Sequence, residues 1–250
     1  MSAPESARAR GVDRVVSILK QLHIARRPMT MRELIDATGT PRSSIYELVA
    51  ILTDAGWLEA TPDGQVFFGR EMHYYGADYA VHNNLISQAH QLILALVRSH
   101  DETAQLCMLE GNKYTVVLSE NSSRPFKISS DIGVAVPIPW TASGRLLLGH
   151  LRPEEILALI PDEDFILDNG KRIDKDEFLN DIGRAGEQGF FCTEGLSSSF
   201  SYCMAAPVRD RSGHAVAALC FMTSTDTPRE KRASMLEDLI RSAKKLSHSF

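Results

Sequence analysis

The stretch Thr30-Met31-Arg32-Glu33, followed shortly by Thr38-Gly39-Thr40-Pro41, leaves the chain little conformational choice. A threonine three residues ahead of a glutamate can cap a helix reciprocally, each side chain accepting from the other residue's backbone N–H. Met29 before it and Leu34 after it are placed as a hydrophobic staple. The spacing predicts a short helix from Met31 to Thr38, with Gly39 as its left-handed stop. Thr40 can then cap a further helix, and Pro41 suits its first position. Ile45, Leu48, Val49 and Leu52 repeat at helical spacing until Gly56. Upstream, Val12, Val15, Val16, Leu19 and Leu22 recur as one helical face that Pro28 ends. Two short helices joined around a glycine form a helix-turn-helix, whose second helix can enter the DNA major groove. Segments 57–60 and 65–68 read as strands around the turn Thr61-Pro62-Asp63-Gly64, which makes the motif a winged one. Such helix pairs also occur as structural units without DNA, and the order of elements alone leaves that alternative open.

Charge sharpens the reading. From Arg8 to Arg42 eight basic residues stand against three acidic ones; from Glu47 to Asp78 six acidic residues stand against the single Arg70. A formal net charge of −5 therefore conceals a positive N-terminal stretch. With Ile45, Leu48, Val49 and Leu52 inward, the third helix turns Ser43, Glu47 and Ala50 outward, flanked by Arg42, Ser44 and Tyr46. Arg42, Ser43 and Ser44 sit at its N-terminal end, where side chains and unpaired N–H groups reach phosphates or base edges. An ordinary solvated face is the alternative, with Ser43 merely supporting the cap. Glu47 cannot neutralise a phosphate; it must accept from a cytosine or pair with Arg42 or another cation.

A chain of 250 residues favours two domains, and 44% hydrophobic with 24% charged residues excludes disordered and fibrous classes. This length buries a sufficient core without staples. The longest apolar run, 215–222, is far short of the ~20 residues that span a bilayer. The first eleven residues carry Glu5, Arg8 and Arg10 and no apolar stretch, so a cytoplasmic location without a signal peptide is expected. Cys107, Cys192, Cys203 and Cys220 show no CxxC spacing and read as reduced, buried small hydrophobes.

Beyond the wing, 71–84 has no clean stripe, whereas Leu85, Ala89, Leu92, Ile93, Leu96 and Val97 define an amphipathic helix. Its apolar face packs on its own sheet or on a second copy. Segments 104–110 and 113–118 around Gly111-Asn112 predict a hairpin. Helices are expected at 142–150, 154–160, 175–187 and Arg229–Ser247, and strands at 190–192, 203–208 and 215–222. Strand pairs interrupted by helices, without βαβ alternation, give an α+β sheet with covered faces. Catalytic patterns are absent: no G-x-G-x-x-G, no P-loop, and Gly183, Gly186 and Gly189 read as punctuation at a helix end. Gly195-Leu196-Ser197-Ser198-Ser199 is not G-x-S-x-G, the eight histidines are scattered, and Asp162-Glu163-Asp164 reads as a solvated loop.

Three segments carry a resemblance: Arg10-Gly11-Val12-Asp13-Arg14-Val15, Met29-Thr30-Met31-Arg32-Glu33-Leu34, and Thr38-Gly39-Thr40-Pro41-Arg42-Ser43-Ser44-Ile45-Tyr46. They resemble the IclR-type bacterial transcriptional regulators. So do Pro139-Trp140-Thr141-Ala142-Ser143-Gly144-Arg145, Glu187-Gln188-Gly189-Phe190 and Cys203-Met204-Ala205-Ala206-Pro207-Val208 further along. The resemblance implies an α+β chain: a winged helix-turn-helix DNA-binding domain over 8–70, a linker helix over 71–84, and a GAF-like effector-binding domain with an antiparallel sheet over 85–250. It implies operator contacts through Arg10, Thr30 and Arg32 as well as Arg42, Ser43, Ser44, Tyr46 and Glu47. Glu47 departs from the family, which usually has arginine there.

The resemblance further implies that a small acid is held by backbone N–H groups at Ala142 and Ser143, with Val136, Thr193, Ser201, Cys203, Cys220 and Met222 around it. A helix start suits an anion. Thr193 stands where an acidic residue is common and Met222 where some members have serine, so a bulkier aromatic acid or amide is expected. The alternative is that Val136, Cys203, Cys220 and Met222 simply line the core. Implied partners are double-stranded operator DNA, a small-molecule effector and further copies of the chain, as a dimer or dimer of dimers; no cofactor, metal or membrane is implied. The competing reading, an enzyme with a Cys or Ser nucleophile in the second domain, needs a base within hydrogen-bond reach, and no such pair is recognisable.

Overall fold

The computed structural model describes residues 7–124, 131–196 and 198–248, which divide into two compact units, one ending at His82 and the other starting at Asn83.

In the first unit α1 (Ala7–Ala25), α2 (Met31–Thr38) and α3 (Arg42–Asp54) are followed by the short antiparallel strands β1 (Leu58–Ala60) and β2 (Val66–Phe68). The Thr30–Glu33 capping box is present in both directions, and Gly39 closes α2 with φ 63°, a conformation that only glycine adopts without strain. Met29 and Leu34 are both buried in one cluster with Ile18, Leu22, Ile45, Val49, Leu52, Leu58 and Val66. Two expectations need correction. The inward face of α1 is centred on Ile18 and Leu22, with Val15 and Leu19 beside them, while Val12 and Val16 are exposed. Sequence spacing alone does not fix which edge of a wide apolar stripe meets the core. Likewise Thr40 does not cap α3: the carbonyl of Pro41 accepts the first helical bond, so Pro41 holds the cap position and offers no side chain to it. α4 (Arg70–His82) follows the wing and buries none of its residues.

The second unit is a six-stranded antiparallel sheet in the order β5-β4-β3-β8-β7-β6, built from β3 (Thr103–Glu110), β4 (Lys113–Glu120), β5 (Ala135–Pro137), β6 (Phe191–Glu194), β7 (Ser201–Arg209) and β8 (Ala215–Ser224). One face carries α5 (Asn84–His100) and α9 (Arg229–Ser247); the other carries the six-residue α6 (Ala142–Leu147), with α8 (Lys175–Gln188) packed behind it. α7 (Pro153–Leu159) lies between α6 and α8 in sequence. The expected hairpin around Gly111-Asn112 forms with Glu110 opposite Lys113. Three sequence readings shift. Gly183 and Gly186 lie inside α8, and only Gly189, at φ 71°, ends it. The helix expected over 142–150 stops at Leu147. The edge strand β5 was not anticipated, because three residues are too few to show alternation.

A β-bulge between Leu106 and Cys107 shapes the sheet. Gln105 pairs with Ser119 but Cys107 pairs with Val116, so β4 spends one extra residue. The bulge resets the alternation and brings Ser119 and Val116 to the same face as Gln105 and Cys107.

Candidate functional sites

On the first unit the exposed side of α3 presents Arg42, Ser43, Tyr46, Glu47 and Ala50, as its periodicity predicts, with Ile51 also 55% exposed. The guanidinium of Arg42 lies over the Tyr46 ring, 5.4 Å from its centroid. Arg42 therefore stacks on its own helix rather than pairing with Glu47. Glu47 is exposed and, among the described residues, enters no ion pair. Ser44 is half-buried and accepts a hydrogen bond from Arg14 Nη1 of α1 at 3.1 Å. Thr30 is committed to the capping box, donating to and accepting from Glu33. Arg32 is nearly fully exposed and only loosely met by Asp36, at 3.9 Å. Arg10 lies in α1, but its side chain is outside the described residues. Arg14 is the contribution that sequence reasoning missed: thirty residues separate it from Ser44, and no local pattern links them.

The wing tip carries Asp63, and Glu59 of β1 accepts from the backbone N–H of Arg70. Cationic groups thus gather on α1 and at the start of α3 rather than on the wing.

On the second unit the register assigns faces. Thr193, Cys203 and Met222 stand side by side across β6, β7 and β8, and Ala205 and Cys220 pair one step along. Cross-strand partners share a face, so Thr193, Ser201, Cys203, Cys220 and Met222 all lie on the α6 side. Val136 pairs with Tyr114 and joins the same side. Ala142, Cys203 and Cys220 are buried in one cluster with Cys107, Tyr114 and Val116, and Val136 packs against it. Ser143 is 1% exposed and its hydroxyl bonds to Cys220. Six of the eight sequence-expected residues therefore share the sheet face that α6 covers, and the other two, Ala142 and Ser143, open α6 itself. Of the segment Gly195-Leu196-Ser197-Ser198-Ser199, read as an ordinary loop, Ser197 lies outside the described residues.

Several features hold the start of α6 in place. Thr141 caps it, accepting from the Gly144 N–H. A Cβ on Gly144 would stand 2.0 Å from the Ile138 carbonyl oxygen, so only glycine allows the helix to seat against the 3-10 turn Ile138–Trp140. Arg145 runs back under the helix, donating to the carbonyls of Pro139 and Thr141 and to Asp181 at 2.9 Å, between the rings of Phe178 and Phe191. Its pairing offsets the cost of burying a charge, and it stays protonated although burial lowers its pKa.

The thiols form a relay. Cys107 and Cys220 sulfurs are 3.8 Å apart, and Cys203 is bonded to Cys220. The bond to Cys220 together with burial raises Cys203, and the bond to Cys107 together with burial raises Cys220, both well above the ordinary thiol range. Burial, with Cys107 nearby, does the same to the Tyr114 phenol. A nucleophilic cysteine needs the opposite shift. Sequence reasoning missed Gln105, 1% exposed and bonded to Ser119 Oγ, and Tyr114, bonded to Thr141. No local signal marks Gln105: alternation sets it opposite Ala104 and Leu106 as on an outer face, whereas Thr103–Cys107 are buried on both faces of the sheet.

Residues 77–248 match the family model for the C-terminal domain of bacterial transcriptional regulators of the IclR type, and residues 11–62 match the IclR helix-turn-helix domain. The chain belongs to the IclR family. This IclR-family chain is 25% identical to the HTH-type transcriptional regulator KipR of Bacillus subtilis over 191 residues, 76% of each chain. Its fold is that of the IclR regulator from Alicyclobacillus acidocaldarius, with a TM-score of 0.85 at 18% identity, covering 96% of this chain and 98% of that one. An IclR homologue of Microbacterium hydrocarbonoxydans, solved in complex with 4-hydroxybenzoate, aligns with a TM-score of 0.82 at 20% identity over 96% and 98% of the two chains. As an IclR-family member the chain is a ligand-responsive transcriptional regulator, combining a DNA-binding winged helix-turn-helix with a small-molecule-binding domain. Among the described residues no helix is long and apolar enough to cross a membrane.

Proposed function

We propose that this regulator binds its operator through α3 and the basic residues of α1 and α2, and senses an aromatic carboxylic acid on the α6 face of its second unit. The observation that carries the sensor reading is that Val136, Thr193, Ser201, Cys203, Cys220 and Met222 share the sheet face covered by α6, which opens with Ala142 and Ser143. The lining is mostly apolar and thiol-bearing, and Ser143, Ser201 and Thr193 are its hydroxyl-bearing residues. Such a surface suits a flat apolar body with one anionic group. The 4-hydroxybenzoate bound by the Microbacterium homologue is a ligand of that chemistry.

The domain limits follow the same reading: a DNA-binding domain over 8–70, a linker over 71–84 and a sensor over 85–250. The regulator works in the cytoplasm, where the operator is, as a dimer or dimer of dimers. α4 supports pairing, since it exposes Tyr74, Tyr75, Tyr79 and Val81. It is not an enzyme; the raised thiols argue against a cysteine nucleophile.

The test is a titration of the protein–operator complex with 4-hydroxybenzoate. A ligand that prefers one of two arrangements shifts operator affinity by its differential affinity for them. Wild type should change its operator affinity, whereas Ser143→Leu, which crowds the start of α6, should bind operator normally and ignore the ligand. Because Ser143 is buried, the smaller change Met222→Ala is run beside it and should alter ligand affinity without touching operator binding. A wild-type response retained in both variants would move the sensor elsewhere.

A further inference from the structure

We propose a second small-molecule site on the opposite face of the sheet, between the β6–β7 edge and α9, which takes an organic carboxylate. β6 serves both faces: Phe191 and Thr193 point to the α6 side, and Cys192 and Glu194 point away. Their cross-strand partners there are Met204 and Tyr202. α9 meets them with Arg229, Arg232 and Leu236, three positions on one helical stripe. Together they line a cavity of about 460 Å³, within the range of ligand pockets.

The chemistry of the walls selects the occupant. The Arg232 guanidinium lies 4.4 Å from the Tyr202 ring centroid, which holds it in a fixed orientation. Its only carboxylate partner among the described residues is Glu194, at 3.9 Å and 61% exposed. Arg229 enters no ion pair among the described residues. Two guanidinium groups against one distant carboxylate leave the cleft positive, and guanidinium matches a carboxylate with two parallel N–H donors. Tyr202 donates to Cys192, and burial pushes its phenol up to about 12, so neither group adds a negative charge. Met204 and Leu236 give the cavity an apolar floor, which a bare inorganic anion leaves unused and a hydrocarbon body covers.

The site is also placed to regulate. Cys192 and Glu194 border a neighbouring cavity of about 300 Å³ that includes Thr193 and Arg145. An occupant that draws Arg232 from Glu194 therefore acts on the strand that presents Thr193 to the other face. This coupling rests on the proposed sensor; binding in the cleft does not.

The two sites each have a methionine reporter, Met204 behind the sheet and Met222 in front of it. In full-length protein labelled at methionine methyl groups, benzoate is titrated and both signals are followed by NMR, assigned through Met204→Leu and Met222→Leu. The expected result is a saturable shift of Met204 that Arg229→Gln with Arg232→Gln weakens about ten- to a hundredfold, while Met222 keeps its own concentration dependence. An unmoved Met204 at millimolar benzoate overturns the site, as does an identical shift in the double variant. Inorganic phosphate is the second arm: if it moves Met204 at lower concentration than benzoate does, the cleft is not a carboxylate site. Operator binding plays no part in these readouts, so a failure of the DNA-binding or sensor reading leaves them independent.

Discussion

Arg14 of α1 donates to the hydroxyl of Ser44, 3.1 Å away, and so ties the first helix to the first turn of α3. The bond places a cation beside the end of α3 where unpaired N–H groups already favour a phosphate. Arg14→Ala should weaken operator binding about tenfold and lower the slope of log K against log salt by about one, because a phosphate contact is lost. Ser44→Ala should cost less, in the range of one ordinary hydrogen bond, about 0.5–1.5 kcal/mol, and leave the salt slope as it was. An unchanged slope for Arg14→Ala would make it a scaffold residue only.

What the sequence made legible follows from how local each signal is. The capping box, Gly39 and the wing turn are stated within a few consecutive residues, and all three stand where their local chemistry puts them. α9 spans the limits expected for it, Arg229–Ser247, with Pro228 at its N-cap. The pairing of Arg145 with Asp181 across 36 residues, the Arg14–Ser44 bond and the β3–β4 bulge are set by tertiary packing, and no spacing announces them. The expected sensor residues could be listed from motifs, but their shared face emerged only from the strand register, since one residue of slip would have turned half of them away.

The capping glutamate makes the first unit sensitive to acid. Arg27, the Thr30 backbone N–H and the Thr30 hydroxyl hold the Glu33 carboxyl at about 2, below the ordinary carboxylate range near 4. Since the folded value is depressed, the contribution is complete above the unfolded value and is lost as pH falls toward about 2. Glu33→Gln should therefore melt below wild type at pH 7, with the gap narrowing from about pH 4 downward and closing near pH 2. A gap that stays constant with pH would show that ionisation of Glu33 contributes nothing.

Arg145 and Asp181 form a buried pair, with side chains 3% and 10% exposed. Removing one partner strands the other charge in a poorly solvated place, so Asp181→Ala should cost about 3–5 kcal/mol in urea unfolding. Replacing both, Arg145→Met with Asp181→Leu, should recover much of that loss, because apolar groups of similar volume need no compensation. Arg145 also holds the carbonyls of Pro139 and Thr141. The double variant should accordingly fold yet respond poorly to 4-hydroxybenzoate. Full ligand response in that variant would remove Arg145 from the positioning of α6.

Glu47 projects from the exposed side of α3, one turn beyond Ser43, and pairs with no cation among the described residues. Arg42, its nearest candidate on the helix, is stacked on Tyr46 instead. A free carboxylate facing DNA is repelled by phosphates unless it accepts from a cytosine amino group. If it reads cytosine, changing it costs affinity at the cognate operator, about 1–3 kcal/mol, and improves binding everywhere else. Glu47→Gln and Glu47→Arg should thus raise affinity for random DNA while shrinking the ratio of specific to non-specific binding. Were Glu47 only a general brake on electrostatic attraction, both variants would tighten cognate and random DNA by one common factor. The ratio measured at a single fixed salt concentration separates the two, since the shared electrostatic contribution divides out and only base readout remains.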